Sequence, residues 1–189
     1  MGKIIVLYGL AAAGKTTQAE LLFKKYGLYQ FGMGDKLRAE IEADTELGKK
    51  IQETVANGRL VSDELIQGVL QGIKTQAQET GIVFDGFPRM MPQAKLLDEM
   101  LTEVNLGVDL FVLLKVSLEE VERRIAARAT SGGRADDKDQ AVINNRLEVF
   151  RKESIPLINH YQAKNKFVEI DGEKSITEVF AEIEEHLQK

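Results

Sequence analysis

The sequence contains no cysteine and only two histidines. The first absence excludes disulfides and thiolate metal sites, and the second leaves almost nothing from which to build a zinc site. His160 and His186 fall in helical stretches and read as surface or capping residues, not catalysts. No apolar run is long enough to span a bilayer. Met1-Gly2-Lys3 leads into a strand-like run instead of a signal peptide, and Gly2 is not followed by an acylation pattern. A cytoplasmic chain without a membrane partner is expected. Basic residues are outnumbered, 25 Lys and Arg against 30 Asp and Glu, for a net charge of −5. Without a broad basic stripe, no nucleic-acid partner is expected.

What is present suits a globular domain. Of 189 residues, 43% are apolar and 29% charged, enough for one domain with its own core. The nine arginines are unevenly placed, with Arg123, Arg124, Arg128, Arg134 and Arg146 inside one short stretch. A local arginine cluster on an acidic chain suggests a small polyanion in a pocket; the plain alternative is a set of solvated helix faces. Lys24-Lys25 reads as such a face.

Short apolar runs alternate with helical patterns. Residues 3–8, 28–31, 82–85, 110–116 and 166–170 read as strands, with 110–116 apolar enough to be covered on both faces. Helices are predicted over 16–26, 35–43 and 46–56, then from Ser62 towards Glu79, from Pro92, from Ser117 to near Arg128, over 139–162 with a bend near Pro156, and from Ser175. Ser117 with Glu120, and Ser175 with Glu178, have capping-box spacing. Residues 129–137 are small and polar and read as a loop. Strands separated by helices imply an α/β fold, a parallel sheet with helices on both faces.

Gly9-Leu10-Ala11-Ala12-Ala13-Gly14-Lys15-Thr16 matches G-x-x-x-x-G-K-[ST], directly after a strand and directly before a helix. Backbone N–H groups of such a loop form an anion nest, the helix N-terminus adds its positive end, and Lys15 supplies a mobile charge for β- and γ-phosphates. Asp85 closes the strand 82–85. A carboxylate at that end of a parallel strand faces the ligand crevice and can hold Mg²⁺, directly or through water. Asp136-Asp137 either holds Arg128 or Arg134 by ion pairing or only starts the next helix.

Eight segments then fall in register: GKTTQAELL, GDKLRAEI, GRLVSDEL, FDGFPRMMPQA, RRIAAR, SGGRADD, NNRLEVF and IDGEKSITEVF. Through them the sequence resembles the adenylate kinase family of nucleoside monophosphate kinases over essentially its whole length. The resemblance implies a P-loop three-layer fold with a five-stranded parallel sheet in a single domain, a nucleoside-monophosphate-binding insert at about 32–61 and a short lid at about 128–138. It implies ATP, AMP and ADP as partners of a monomer, Mg²⁺ as cofactor, and no zinc, since no cysteine is present. By resemblance, Arg38 and Arg89 grip the phosphate of AMP beside Gly86, Phe87 and Pro88. Met33, Arg59, Leu60, Val61 and Gln93 hold its base. Ala12, Ala13, Gly14, Lys15, Thr16 and Thr17 wrap the phosphates of ATP, Arg124 stacks on its adenine, and Lys174 borders that base. Arg128, Arg134 and Arg146 join Lys15 and Arg89 around the transferring phosphoryl.

The reaction so implied is MgATP with AMP giving two ADP. A phosphate acceptor is already ionised near neutral pH, so no general base is required; in-line placement and charge cancellation are. Planar guanidinium forks suit that task. The sequence departs from the family at Ala11 and Ala12, which replace proline and glycine, and at Met33 and Met90, which replace threonines. Thr16 stands where the family has glycine and adds a hydroxyl within reach of Mg²⁺. Gln93 favours adenine. A UMP/CMP or broad-specificity kinase, and a non-catalytic ATP-binding module, are the competing readings.

Overall fold

The structure, a computed structural model, describes residues 2–56, 61, 63–70, 72–130 and 140–188. β1 (Ile4–Tyr8) is buried along its whole length. Such a run has no polar face for water, so it belongs at the centre of a covered sheet. It pairs in parallel with β3 (Ile82–Asp85) on one side and β4 (Leu110–Lys115) on the other. β2 (Tyr29–Gly32) and β5 (Phe167–Asp171) flank these, giving the order β2-β3-β1-β4-β5.

Strand alternation divides the core in two. Ile4, Val6 and Tyr8 join Phe31, Phe84 and Phe111 on one face. Ile5 and Leu7 join Val83 and Val112 on the other, under α1 (Lys15–Tyr26), α7 (Leu118–Thr130) and α9 (Ile176–Leu187). The first face is covered by α2 (Met33–Glu42), α3 (Glu46–Ala56), α4 (Asp63–Val69), α5 (Ile73–Glu79) and α6 (Met91–Thr102). α8 (Gln140–Ala163) reaches both clusters, with Ile143 in the second and Leu157 and Tyr161 in the first.

Three expectations need correction. The helix predicted from Ser62 to Glu79 is broken into α4 and α5, because Gly72 takes a left-handed φ of 83° that only glycine adopts without strain. Ser62 itself lies outside the described residues. The Ser117 capping box is half formed: the Glu120 N–H donates to Ser117 Oγ at 3.4 Å, but the Glu120 carboxylate turns to Arg123 and Arg124. The Ser117 N–H donates to Glu173 Oε1 at 2.8 Å in its place. Lys25 is exposed, as the reading of a solvated face expects, and pairs at the surface with Glu184 of α9. His160 is half-buried and not a plain surface or capping residue: its Nε2 lies 2.7 Å from Asp98 Oδ2, tying α8 to α6. The helix through Pro156 is continuous from Gln140 to Ala163.

The Ser175 box is complete. Ser175 Oγ accepts from the Glu178 N–H and the Glu178 carboxylate accepts from the Ser175 N–H at 3.0 Å. Ser175→Ala should therefore destabilise the fold by about 1 kcal/mol, read as a melting midpoint lower by about 2–4 °C for a chain of this size.

Candidate active site

The connections change side around β1, so the crevice beyond the carboxyl ends of the central strands is where a ligand is expected. A cleft of about 380 Å³ lies there, lined from residues 8–17 of the β1–α1 loop, from α2, from the segment after β3, and from α7 and α8.

The loop between β1 and α1 turns through three positive φ values: Gly9 at 145°, Ala12 at 59° and Gly14 at 98°. Gly9 packs so closely on β4 that an added Cβ would lie 2.7 Å from the Leu114 carbonyl oxygen. Ala12 does adopt the left-handed conformation its Cβ opposes, at a cost of about 1–2 kcal/mol. Its neighbours hold it there. The Ala13 N–H donates to the Leu10 carbonyl at 3.2 Å. The Lys15 ammonium donates to the Gly9 and Leu10 carbonyls at 3.1 and 2.7 Å, closing the loop on itself.

Thr16 and Asp85 meet. The parallel register places Leu7 beside Asp85, and the Thr16 hydroxyl donates to Asp85 Oδ2 at 2.5 Å. Asp85 is 8% exposed. Two hard oxygens side by side at the mouth of an anion loop suit Mg²⁺, which takes one or two protein oxygens and completes its shell from phosphate and water.

The same cleft is lined by Arg38, Arg89, Arg124, Arg128 and Arg146, with Arg124 beside the loop, where its Nη1 donates to the Ala12 carbonyl at 3.5 Å. Arg89 is fixed at both ends: its Nε donates to the Gly86 carbonyl, and its N–H donates to Gln93 Oε1, each at 2.8 Å. Gly86 has φ 76°, and a Cβ there would lie 3.0 Å from the Arg89 guanidinium. Arg38 pairs with Asp35 of the same helix. Arg124 is held by Glu120 at 2.6 Å and by the Gly172 carbonyl at 3.0 Å. Hydrogen bonds from Arg123 and Arg124 pull the Glu120 carboxyl down to about 2, so this anchor is ionised throughout the neutral range.

Of the other residues named from the sequence, Ala12, Ala13, Gly14, Thr17, Met33, Val61 and Gln93 line the cleft. Lys174 lies apart, in a neighbouring pocket shared with Ala12, Ala13, Gly14, Thr17 and Arg124, where its ammonium pairs with Glu182 at 2.5 Å. Phe87 and Pro88 are buried, Phe87 against Phe84, and neither lines the cleft. Arg59, Leu60 and Arg134, Asp136 and Asp137, and most of the expected lid lie outside the described residues.

The structure adds residues that sequence reasoning missed, among them Tyr8, Phe150, Ile143 and Leu147. Two signals were available. Tyr8 ends the strand that feeds the loop, and Phe150 follows Arg146 by four positions, one turn along the same helix face.

A parallel sheet ending in an anion loop, with a lysine, a hydroxyl–carboxylate pair and five arginines lining the same cleft, defines a P-loop phosphotransferase. Comparison with known proteins narrows the class. The family model for adenylate kinase matches residues 7–166. An adenylate kinase from Parabacteroides distasonis is 40% identical over 182 residues, 96% of this chain and 95% of its own. One from Synechococcus sp. is 40% identical over 97% of this chain and 93% of its own, and one from Methanosarcina barkeri is 38% identical over 98% of each. The chain belongs to the adenylate kinase family.

The site carries two substitution tests. Gly86→Ala should drive the backbone and the Arg89 guanidinium apart, lowering turnover at least tenfold and stability by about 1–2 kcal/mol. Ala12→Gly should raise stability by about 1 kcal/mol in a denaturant titration by relieving the left-handed alanine.

Proposed function

We infer that the chain is a nucleoside monophosphate kinase, an adenylate kinase, that transfers the terminal phosphoryl of MgATP reversibly to AMP to give two ADP. The observation that carries this reading is one cleft lined both by a phosphate loop and by arginines from other elements, Arg38 of α2, Arg89 after β3 and Arg146 of α8. A protein that only bound ATP would have no need of guanidinium groups brought to the cleft from these further elements.

The chemistry needs positioning and charge cancellation more than proton transfer. In this reading the loop amides and Lys15 hold the donor phosphates, with Arg124 and Lys174 towards the donor base. Thr16 and Asp85 would hold Mg²⁺, which neutralises charge on the donor phosphates when bound. Arg38 and Arg89 grip the acceptor phosphate, and Gln93, oriented by the Arg89 N–H, faces the acceptor base with Met33 and Val61. Arg128 and Arg146 approach the moving phosphoryl from α7 and α8, and Arg134 is assigned the same task. The segments at about 32–61 and 128–138 are assigned as acceptor insert and lid, whose closure would exclude water and prevent wasteful hydrolysis. The reading extends to a monomer in the cytoplasm, where its nucleotide substrates circulate.

A coupled ADP assay with ATP, Mg²⁺ and a panel of AMP, dAMP, GMP, CMP and UMP tests it. AMP should give the highest kcat/KM, and preference for a pyrimidine acceptor would overturn the assignment. Lys15→Ala and Arg89→Ala should each lower turnover by roughly 10³-fold or more while the melting curve stays cooperative.

A further inference from the structure

Tyr8 is the last residue of β1 and directly precedes Gly9 of the phosphate loop. Strand alternation puts its side chain on the face of Ile4 and Val6, in the cluster with Met33, Leu37, Val61 and Phe87. That is the face of the insert and of Arg89, away from α1 and α9.

Its ring is clamped between two others. Phe111 of β4 and Phe150 of α8 each lie 5.3 Å away between centroids, at 37° and 23°. A phenylalanine would fill this sandwich as well. The hydroxyl is the unexplained part: Tyr8 is 4% exposed, it lines the cleft, and no hydrogen bond joins its hydroxyl to any described residue. The hydroxyl is not among the buried polar atoms left unpaired, so it opens into the cleft that Tyr8 lines and is available to whatever ligand fills it. Two charged groups act on it, Arg89, which draws it towards ionisation, and Glu153, which opposes that. Burial outweighs both and holds the phenol well above its ordinary value, so it remains a donor across the neutral range.

A donor on a clamped ring, lining the same anion cleft as the fixed Arg89, is suited to a phosphate oxygen. We propose that the Tyr8 hydroxyl donates a hydrogen bond to the phosphate of the acceptor nucleotide, next to Arg89. This rests on the kinase reading above and adds a binding residue to it. The donor comes from the same strand that delivers the ATP loop. Both phosphates are thereby referred to one rigid element, which favours their in-line approach.

Tyr8→Phe removes the hydroxyl and keeps the stacked ring. Calorimetry and steady-state kinetics should show AMP binding and the KM for AMP weakened by between about ten- and a hundredfold, with the KM for ATP unchanged. Adenosine, which lacks the phosphate, should bind wild type and variant alike in an NMR titration, and the melting midpoint should hold or rise. The proposal is overturned if AMP binding changes less than twofold, or if AMP and adenosine weaken together. Weakening of ATP in place of AMP overturns it too. A lower melting midpoint would reveal an internal partner for the hydroxyl and overturn it as well. A wild-type protein that phosphorylates no nucleoside monophosphate defeats the kinase reading itself. An active wild type matched by Tyr8→Phe defeats only the role of Tyr8.

Discussion

The site depends on the register between β1 and β3. Leu7 lies opposite Asp85, so the phosphate loop leaves one strand where the carboxylate leaves the next, and Thr16 one helical position into α1 reaches it at 2.5 Å. Side chains alternate along a strand, so a slip of one residue would send Asp85 to the other face and break the pair. Such a slip is opposed by burial on both faces: Ile4 to Leu7, Ile82, Val83 and Phe84 are all fully buried. A polar contact at the heart of the cleft is thus specified by a wholly apolar part of the chain.

Charge is handled in the same indirect way. The protein is acidic, yet the cleft gathers five arginines, and bringing like charges together is unfavourable unless each is held. Backbone carbonyls do much of the holding. Gly86 and Gly172 accept from Arg89 and Arg124, and Gly9 and Leu10 accept from Lys15. Carbonyls fix direction without neutralising, so the cations keep their charge for an anionic ligand. Where a carboxylate is used the edge differs: Glu120 accepts from Nε of Arg124 while another nitrogen donates to the Gly172 carbonyl, and Asp35 accepts from Nη2 of Arg38.

Much of this was legible in the sequence, because the strongest signals are local. An apolar run, a glycine-rich octamer and a helix in succession can be read without any partner, as can an aspartate closing a strand. What was not legible depended on competition or on distance. The apolar positions Leu65, Ile66, Val69, Leu70 and Ile73 keep helical spacing straight across the break, which is set by one backbone angle at Gly72. Glu120 has capping-box spacing, but charge-assisted bonds at 2.6–2.7 Å to Arg123 and Arg124 outcompete a neutral backbone N–H. That N–H is satisfied by Glu173, too far along the chain to be foreseen. Phe87 and Pro88 follow the crucial aspartate and so looked like contact residues, yet after β3 the chain turns them inward and leaves Gly86 and Arg89 in the cleft. The family and the general plan of the site were therefore readable, whereas the orientation of individual side chains was not.

α8 shows how these parts are held together. Its first half carries Arg146 and, one turn later, Phe150, which stacks on Tyr8 at the end of β1. Its second half buries Leu157 and Tyr161, the latter stacked on Phe111 at 4.3 Å, and anchors His160 to Asp98 of α6. Phe111 also touches Tyr8, so a continuous aromatic path runs from the far end of the helix to the floor of the cleft. Aromatic rings packed in this way have few alternative rotamers at interior density, so the helix is referenced to the sheet at two separated points. An arginine on such a helix is placed by the core, not by its own flexible stem alone. That placement matters because an error near 1 Å in the alignment of a transferring group is enough to cost two orders of magnitude in rate.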